Sequence, residues 1–186
     1  MLQLTITPKT DIRLLESMAR HYSNPKGFVG RSICYAITYN DIYYGHIVSG
    51  SATRHLPGRH EFLGTTHASL NEIINNIYFH IEKRGGVYPH RNFSTAVISA
   101  WQWKAPQDWA EKYGDTAIGL ETLVELPRTG ECYRRAGWTQ VGVTKGFTCK
   151  RTAGRGTDSW SGRRVWDMDN LRPKAVFCRK LPRLPT

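Results

Sequence analysis

Two glutamates four residues apart, Glu121 and Glu125, have the spacing that most directly suggests acid–base chemistry in this chain. They lie in residues 117–125, an apolar stretch typical of a buried strand, and residues four apart on a strand share a face. Two carboxylates on one face raise the pKa of one of them, which suits a general base near neutral pH. A strand-end carboxylate paired with Arg128 or Arg134 explains the same pattern without catalysis, so both interpretations stay open.

Tyr133, His21 and Tyr22 are further candidates for proton transfer or substrate binding. Tyr133 lies in a short predicted helix, where its hydroxyl would serve as an acid or its ring would pack against a sheet. His21 and Tyr22 end another predicted helix. There His21 would contact an acceptor substrate, or would simply interact favourably with the helix dipole.

Arg91, Asn92 and Ser94 lie where one interpretation of the sequence begins a helix. Main-chain N–H groups at a helix N-terminus attract anions, so these residues are candidates for holding a donor substrate. Helix capping by Asn92 or Ser94 is the more economical explanation for either residue alone.

The net charge of +11 over 186 residues is concentrated near the C-terminus. Residues 1–127 carry 12 basic and 11 acidic groups, whereas residues 128–186 carry 14 basic and 4 acidic groups. Such an asymmetry favours a polyanionic partner over a merely solubilising surface. Arginines alternate with tryptophan in the glycine-rich segment 150–173, as phosphate contact combined with base stacking would require. The residues predicted to contact nucleic acid are Arg151, Arg155, Trp160, Arg163 and Arg164.

Composition excludes several classes of protein. A hydrophobic fraction of 40% with 6 Trp, 9 Tyr and 6 Phe is too high for a disordered chain, and 186 residues suit a single domain, 1–186. No apolar run is long enough for a membrane span, and no signal peptide is recognisable. The 4 cysteines form no CxxC pair or zinc-finger spacing. We therefore expect reduced thiols, a cytoplasmic protein and no metal site built from cysteines.

The predicted elements alternate in a way typical of an α/β domain with a mixed sheet. A strand at 2–7 precedes a helix capped by Thr10 or Asp11, and Asn40-Asp41 join a predicted hairpin. Residues 51–69 have the composition of a loop. Two segments, 70–82 and 93–103, fit a helix and a strand about equally well. The remaining predictions are a helix at 107–113, a strand at 117–125, a helix at 130–137, a strand at 138–143, a mobile loop at 150–173 and a strand at 174–181.

Four motifs in the second half of the chain resemble a known family. They are residues 109–114 (WAEKYG), 120–125 (LETLVE), 130–138 (GECYRRAGW) and 141–146 (VGVTKG). The end of the GNAT acyltransferase fold resembles this arrangement, in which a strand is followed by a short connector, the sequence YRRAGW and a further strand. The four motifs together are similar to the GNAT-like group that contains the phage DNA-modification protein Mom. Shorter matches lie at His21-Tyr22, at Asn75-Asn76 with Phe79, and at 92–94.

This resemblance implies an α/β fold with a mixed, mostly antiparallel GNAT-like sheet flanked by helices, and an Arg/Gly-rich loop before the last strand. Residues 73–82 would form the fourth strand, 93–104 a helix, and the active cleft would lie between strand 73–82 and strand 117–125. One departure concerns the donor. GNAT enzymes carry a Q/R-x-x-G-x-G/A loop for the coenzyme A pyrophosphate, and residues 83–92 (KRGGVYPHRN) lack it. The donor is therefore held differently, or is an activated acyl or aminoacyl group other than acetyl-CoA.

The resemblance also implies a function, namely acyl-type modification of the exocyclic amine of adenine in DNA, which protects phage DNA from restriction. Glu125 would be the general base with Glu121 beside it, Tyr133 would protonate the leaving thiolate, and His21 and Tyr22 would contact the acceptor. The target nitrogen lies inside a duplex, so the base would have to be extruded or unpaired. Two alternatives stay open: an N-acetyltransferase of a small amine or peptide, and an inactive GNAT-like DNA-binding module. The sequence does not decide whether a metal takes part.

Overall fold

The computed structural model describes residues 1–23, 25–151, 164–167 and 170–182, and for 148–151 and 164–167 it describes the backbone alone. Seven strands form one sheet in the order β1-β2-β3-β4-β5-β9-β6, and β7 pairs with β8. The elements in chain order are β1 (Leu2–Thr7), α1 (Ile12–Arg20), β2 (Ser32–Tyr39), β3 (Ile42–Ser51), α2 (Arg59–Leu63), β4 (Ile73–Ile81), α3 (Phe93–Tyr113), β5 (Gly119–Glu125), α4 (Glu131–Arg135), β6 (Thr139–Val143), β7 (Thr148–Arg151), β8 (Arg164–Asp167) and β9 (Lys174–Lys180). The predicted fold class, a mixed and mostly antiparallel sheet flanked by helices, is confirmed.

Local sequence signals place the first elements. The Asp11 side chain accepts a hydrogen bond from the Arg13 N–H and so begins α1. Asn40 and Asp41 adopt φ angles of 48° and 63°, which is the left-handed geometry of a tight hairpin turn between β2 and β3. Both predictions are confirmed, and α1 ends at Arg20 rather than near Tyr22.

Helix α3 is one continuous element across 93–113, although separate helices were predicted at 93–104 and 107–113. Pro106 lies inside it and does not end it. The buried side chains Trp101, Ala105 and Trp109 belong to the main hydrophobic core. Because apolar side chains on both sides of Pro106 pack into that core, tertiary packing outweighs the local preference of proline to break a helix.

Two segments predicted as loops contain regular structure. Residues 51–69 include α2 and the start of a 3₁₀ helix, His67–Glu72. The sequence predicts a mobile loop at 150–173, yet residues 150–151 and 164–167 belong to an antiparallel ribbon in which Arg151 pairs with Arg164. Short polar elements of this kind carry little apolar periodicity, which is why the sequence did not predict them.

The sheet divides between β4 and β5, the parallel pair in the otherwise antiparallel order. Their pairing covers Ile73–Asn76 against Gly119–Thr122 and goes no further. A β-bulge in β4 accompanies the divergence, because the register with β3 skips Ile77, which stays partly exposed. The strands beyond this point separate and leave an open cleft.

Candidate active site

The diverging ends of β4 and β5 enclose a cleft of about 890 Å³. The Glu82 N–H donates a hydrogen bond to the Tyr44 carbonyl of β3. Every second residue of an antiparallel strand bonds the same neighbour, so His80 and Tyr78 also face β3 with their main-chain groups. Phe79 and Ile81 therefore turn their main-chain groups toward the cleft. These open strand edges can accept an extended ligand that carries amide groups, in the way an added strand pairs with a sheet edge.

Tyr133 lies at the closed end of the cleft, on the face of the sheet covered by α3 and α4. Its hydroxyl donates a hydrogen bond to Asn76 Oδ1 over 2.6 Å. The Asn76 Nδ2 group donates to the carbonyls of Val48 and Tyr78 at 3.2 and 3.0 Å, which fixes the amide so that Oδ1 faces the tyrosine. The contact therefore has a defined direction, with the phenol as donor.

Packing keeps the Tyr133 phenol protonated. The ring stacks near Phe177 with 5.9 Å between centroids and meets the edge of Trp138 at 5.3 Å. Burial raises the pKa of Tyr133 above that of an ordinary tyrosine. Burial also raises the pKa of the adjacent Cys132 thiol to about 11. At neutral pH this end of the cleft thus presents uncharged O–H and S–H groups.

His21 lies on the opposite face of the sheet, where α1 packs. Its Nδ1 accepts a hydrogen bond from the Ser23 N–H at 3.3 Å and lies 2.8 Å from Ser23 Oγ. The ring also contacts the main chain of Phe79, so both sides of the imidazole are engaged. Burial lowers the pKa of His21 to about 4, with a further contribution from nearby His80. His21 is therefore a neutral, held side chain and a weak base.

Tyr22 and Arg128 meet across the mouth of the cleft on this second face. The Arg128 guanidinium carbon lies 3.5 Å from the centroid of the Tyr22 ring. Tyr22 comes from the chain after α1 and Arg128 from the chain after β5, so the pair connects the two walls. A stacked guanidinium on an exposed aromatic ring presents a flat, positively charged surface.

The predicted pair of glutamates shares a face of β5, but the two carboxylates have different environments. Glu121 is fully buried and forms an ion pair with Arg59, with Oε2 and the guanidinium nitrogen 2.8 Å apart. Burial raises its pKa, and Arg59 opposes that rise. Glu121 therefore does not line the cleft, and direct proton transfer by it does not fit this position. Glu125 lies half-buried at the end of β5, where its charge acts on Tyr22.

The start of α3 lies at the cleft. Ser94 lines the cleft, whereas Arg91 and Asn92 are exposed beside it. Asn92 occupies the N-cap position without a capping hydrogen bond, and its Oδ1 accepts from Arg135 at 3.2 Å instead. The economical explanation of Asn92 as a helix cap is therefore wrong, because α4 provides it with a charged partner.

The chain before α3 forms a tight turn rather than a phosphate-binding loop. Gly85 and Gly86 have φ angles of 59° and 82°, and Arg84 and Val87 exchange main-chain hydrogen bonds on either side of them. The two glycines adopt the positive φ angles that this tight turn requires. The absence of the usual GNAT loop motif is thus matched by a different backbone conformation.

Several sequence predictions cannot be placed. Arg155, Trp160 and Arg163 lie outside the described residues, and the side chains of Arg151 and Arg164 are likewise not described. Within the described part of the chain, no group of three or more His, Cys, Asp or Glu side chains has the geometry to hold a metal ion. No helix of that part is long and apolar enough to cross a membrane. Cys34, Cys132 and Cys178 are free thiols.

Sequence reasoning missed the contacts made by Asn75, Asn76, Arg59 and Arg128. Adjacent asparagines inside an apolar strand were a usable signal, since asparagine is unfavourable in strands and a buried amide needs partners. Arg59 pairs with a residue 62 positions away and carries no local signal. For Arg128 the sequence indicates only a possible ion pair with the glutamates.

No family model and no curated protein sequence matches the chain. Solved structures do match it. A Bacillus subtilis acetyltransferase in complex with CoA superposes with a TM-score of 0.59 at 12% identity, covering 98% of this chain and 100% of that one. A GNAT family acetyltransferase from Elizabethkingia anophelis with acetyl-CoA bound gives 0.59 at 9% identity, covering 97% and 98%. The aminoglycoside acetyltransferase AAC(6')-Ib, in complex with coenzyme A and kanamycin, gives 0.57 at 11% identity, covering 97% and 95%.

These likenesses establish the fold: the described part of the chain folds as GNAT acetyltransferases do. They do not extend to the Mom group, because all three are described as acetyltransferases.

Proposed function

We propose that this protein is an N-acyltransferase that moves an acyl group from a coenzyme A thioester to a nitrogen of its acceptor. The observation that carries the proposal is the Tyr133 hydroxyl, kept protonated by burial at the closed end of a cleft between diverging strands. The solved structures with this fold support a thioester donor, since two are described with CoA and one with acetyl-CoA.

The donor half of the cleft fits a long, anionic ligand with amide groups. The Phe79 N–H and the main-chain groups of Ile81, which face away from β3, would pair with the pantetheine amides. The main-chain N–H groups of Ser94 and Thr95 in the first turn of α3 would meet phosphate oxygens, and the exposed Arg91 adds positive charge there. This set of residues replaces the missing loop motif.

A thioester supplies an acyl carbon that the acceptor nitrogen attacks; the C–N bond forms, the C–S bond breaks, and the nitrogen loses a proton. Tyr133 is placed to donate its O–H to the leaving sulfur, since its raised pKa keeps the proton on the phenol until a strong base is nearby. The nitrogen proton leaves on the other face. Glu125 lies outside the cleft lining, at the end of β5, where its charge acts on Tyr22 at the mouth. It is our proposed proton acceptor on that face, because the low pKa and the engaged nitrogens of His21 suit His21 poorly for that role.

A second, narrower proposal concerns the acceptor, which we propose is a nucleobase amine within DNA. The acceptor half carries the aromatic rings of Tyr22 and Tyr78 and the cation Arg128. Glu131 is the one acidic side chain among the described residues that line the cleft, and Arg135 pairs with it at 2.8 Å. A planar base with phosphates would find aromatic rings and positive charge in this lining.

The test uses purified protein, acetyl-CoA and two acceptors, spermidine and a short single-stranded oligodeoxyadenylate. Thiol release and the mass of the acceptor are followed together. We expect thiol release with an oligonucleotide heavier by one acyl group per thiol. Acylated spermidine without acylated oligonucleotide would overturn the nucleobase proposal alone. Absence of product with either acceptor, together with no binding of acetyl-CoA, would overturn the acyltransferase and favour a DNA-binding module.

A further inference from the structure

Asn75 has a buried polar atom for which the described part of the protein offers no partner. Its side chain is 4% exposed and lines the closed end of the cleft. The Nδ2 group donates to Thr53 Oγ1 over 3.0 Å, but Oδ1 has no hydrogen-bond partner among the described residues. A buried acceptor left unpaired destabilises the folded protein. Such an atom in a cleft points to a ligand that donates to it.

The orientation of this asparagine is set by a buried polar network. Thr53, its partner, donates its N–H to Glu121 Oε1 over 2.6 Å, and the Thr53 carbonyl accepts from Arg59. Arg59 and Glu121 are both fully buried and form the ion pair described above. A buried ion pair contributes little net stability but fixes geometry. The Arg59–Glu121 pair holds the loop after β3 against β5. It thereby also positions Thr53 Oγ1, the oxygen that accepts a hydrogen bond from Asn75.

Asn75 and its neighbour Asn76 serve opposite faces of the sheet, because successive residues of a strand alternate. Asn76 contacts Tyr133 under α3 and α4, on the donor face. Asn75 contacts Thr53 on the other face, the one that carries His21, Tyr22 and Tyr78. The free Oδ1 atom is therefore on the acceptor side of the closed end.

We infer that Asn75 is a positioning residue for the acceptor, its Oδ1 accepting a hydrogen bond from the N–H of the nitrogen that becomes acylated. This inference rests on the proposed N-acyltransferase function and adds the contact that orients the nucleophile. A hydrogen bond at that nitrogen would hold its lone pair toward the acyl carbon. Glu121 and Arg59 act through Thr53 and Asn75 rather than on the substrate.

The test compares Asn75→Leu with Asn75→Asp in the full chain. Leucine removes the acceptor oxygen. Aspartate keeps an oxygen at the position of Asn75 Oδ1, and its second oxygen can accept a hydrogen bond from the Thr53 hydroxyl. We expect the leucine variant to raise KM for the oligodeoxyadenylate about tenfold, as the loss of one buried hydrogen bond implies, with KM for acetyl-CoA unchanged. The aspartate variant should restore KM for the oligonucleotide to within a few-fold of wild type.

A binding measurement separates this inference from the proposed function. Fluorescence anisotropy of the labelled oligodeoxyadenylate needs no turnover, and it should show the same ranking: wild type, then aspartate, then leucine. If the three proteins bind the oligonucleotide in that order but the wild type transfers no acyl group, the Asn75 contact is supported and the acyltransferase proposal is overturned. Equal oligonucleotide binding and equal KM in all three proteins, with acyl transfer intact, would overturn the Asn75 contact and leave the function standing. A change confined to acetyl-CoA would also overturn it, since Oδ1 would then serve the donor.

Discussion

The Tyr133 hydroxyl and the Asn76 carboxamide form a directed hydrogen bond of 2.6 Å at the point where β4 and β5 part. The Asn76 Nδ2 group donates to two main-chain carbonyls, which turns Oδ1 toward Tyr133. The Tyr133 O–H therefore points at Asn76 Oδ1. To donate to a leaving sulfur the hydroxyl must turn away from Asn76. The resting contact therefore fixes the orientation of the Tyr133 hydroxyl.

Tyr133→Phe should lower kcat for acyl transfer about 10²-fold while KM for acetyl-CoA stays near that of wild type, because the phenol acts on the leaving group and not on binding. The variant also leaves Asn76 Oδ1 without a donor, so its free energy of unfolding should fall by about 1–3 kcal/mol. Tyr88→Phe is the matched control, since it removes another hydroxyl from the cleft lining. An unchanged kcat in Tyr133→Phe would remove the acid role.

Arg128→Ala should weaken binding of the oligodeoxyadenylate and leave acetyl-CoA affinity unchanged, because Arg128 stacks on Tyr22 at the acceptor mouth. Arg128→Lys keeps the charge but loses the planar stack, so it should recover only part of the affinity. Anisotropy titrations at several salt concentrations measure both effects. Arg54→Ala removes an equal charge from an exposed site outside the cleft lining and is the control. Equal losses in Arg54→Ala and Arg128→Ala would indicate a general charge effect.

Glu121→Gln should destabilise the fold by about 3–5 kcal/mol, since it leaves the fully buried Arg59 guanidinium without its counter-charge. Replacing both residues, as Arg59→Met with Glu121→Leu, should recover most of that loss. Urea denaturation measures the free energies of unfolding. Glu131→Gln breaks the exposed pair with Arg135 and should change stability by less than about 1 kcal/mol. If the double variant were no more stable than the single one, the buried charge would not be the cause.

Stability should fall as pH drops from 6.5 toward 4. Burial lowers the pKa of His46 and of His21 from 6.5 to about 4, so in this window the unfolded chain binds protons that the folded chain does not. Their stabilising contribution is complete above pH 6.5 and is lost as pH falls through the folded pKa. His46→Gln should flatten the pH dependence of unfolding in that window. The exposed His55→Gln should leave it unchanged, and a flat wild-type profile would contradict the assignment.

The residues show why some of this site was predictable. Tyr133 lies in a motif whose helix, turn and following strand are all local, and its side chain lines the cleft. The strand 73–81 was ambiguous because Ile73 and Ile74 are both fully buried, so neither a two-residue nor a 3.6-residue period stands out. The GNAT resemblance predicts a strand for this segment, and that prediction is confirmed.

Other parts of the site depend on partners far apart in the chain. The sequence indicated that Glu121 and Glu125 share a face, but whether a carboxylate meets water or a buried guanidinium depends on Arg59, 62 residues away. The coupling of Asn76 to Tyr133 spans 57 residues. Non-local contacts of this kind leave no periodicity for sequence analysis to detect.

The decisive measurement is acyl transfer from acetyl-CoA to the oligodeoxyadenylate, followed by mass spectrometry of the nucleosides. We expect deoxyadenosine with one acyl group on its amine from wild-type protein, about 10²-fold less from Tyr133→Phe, and wild-type amounts from Tyr88→Phe. Unmodified nucleosides from folded wild-type protein, with no thiol released from acetyl-CoA in the presence of spermidine either, would contradict it.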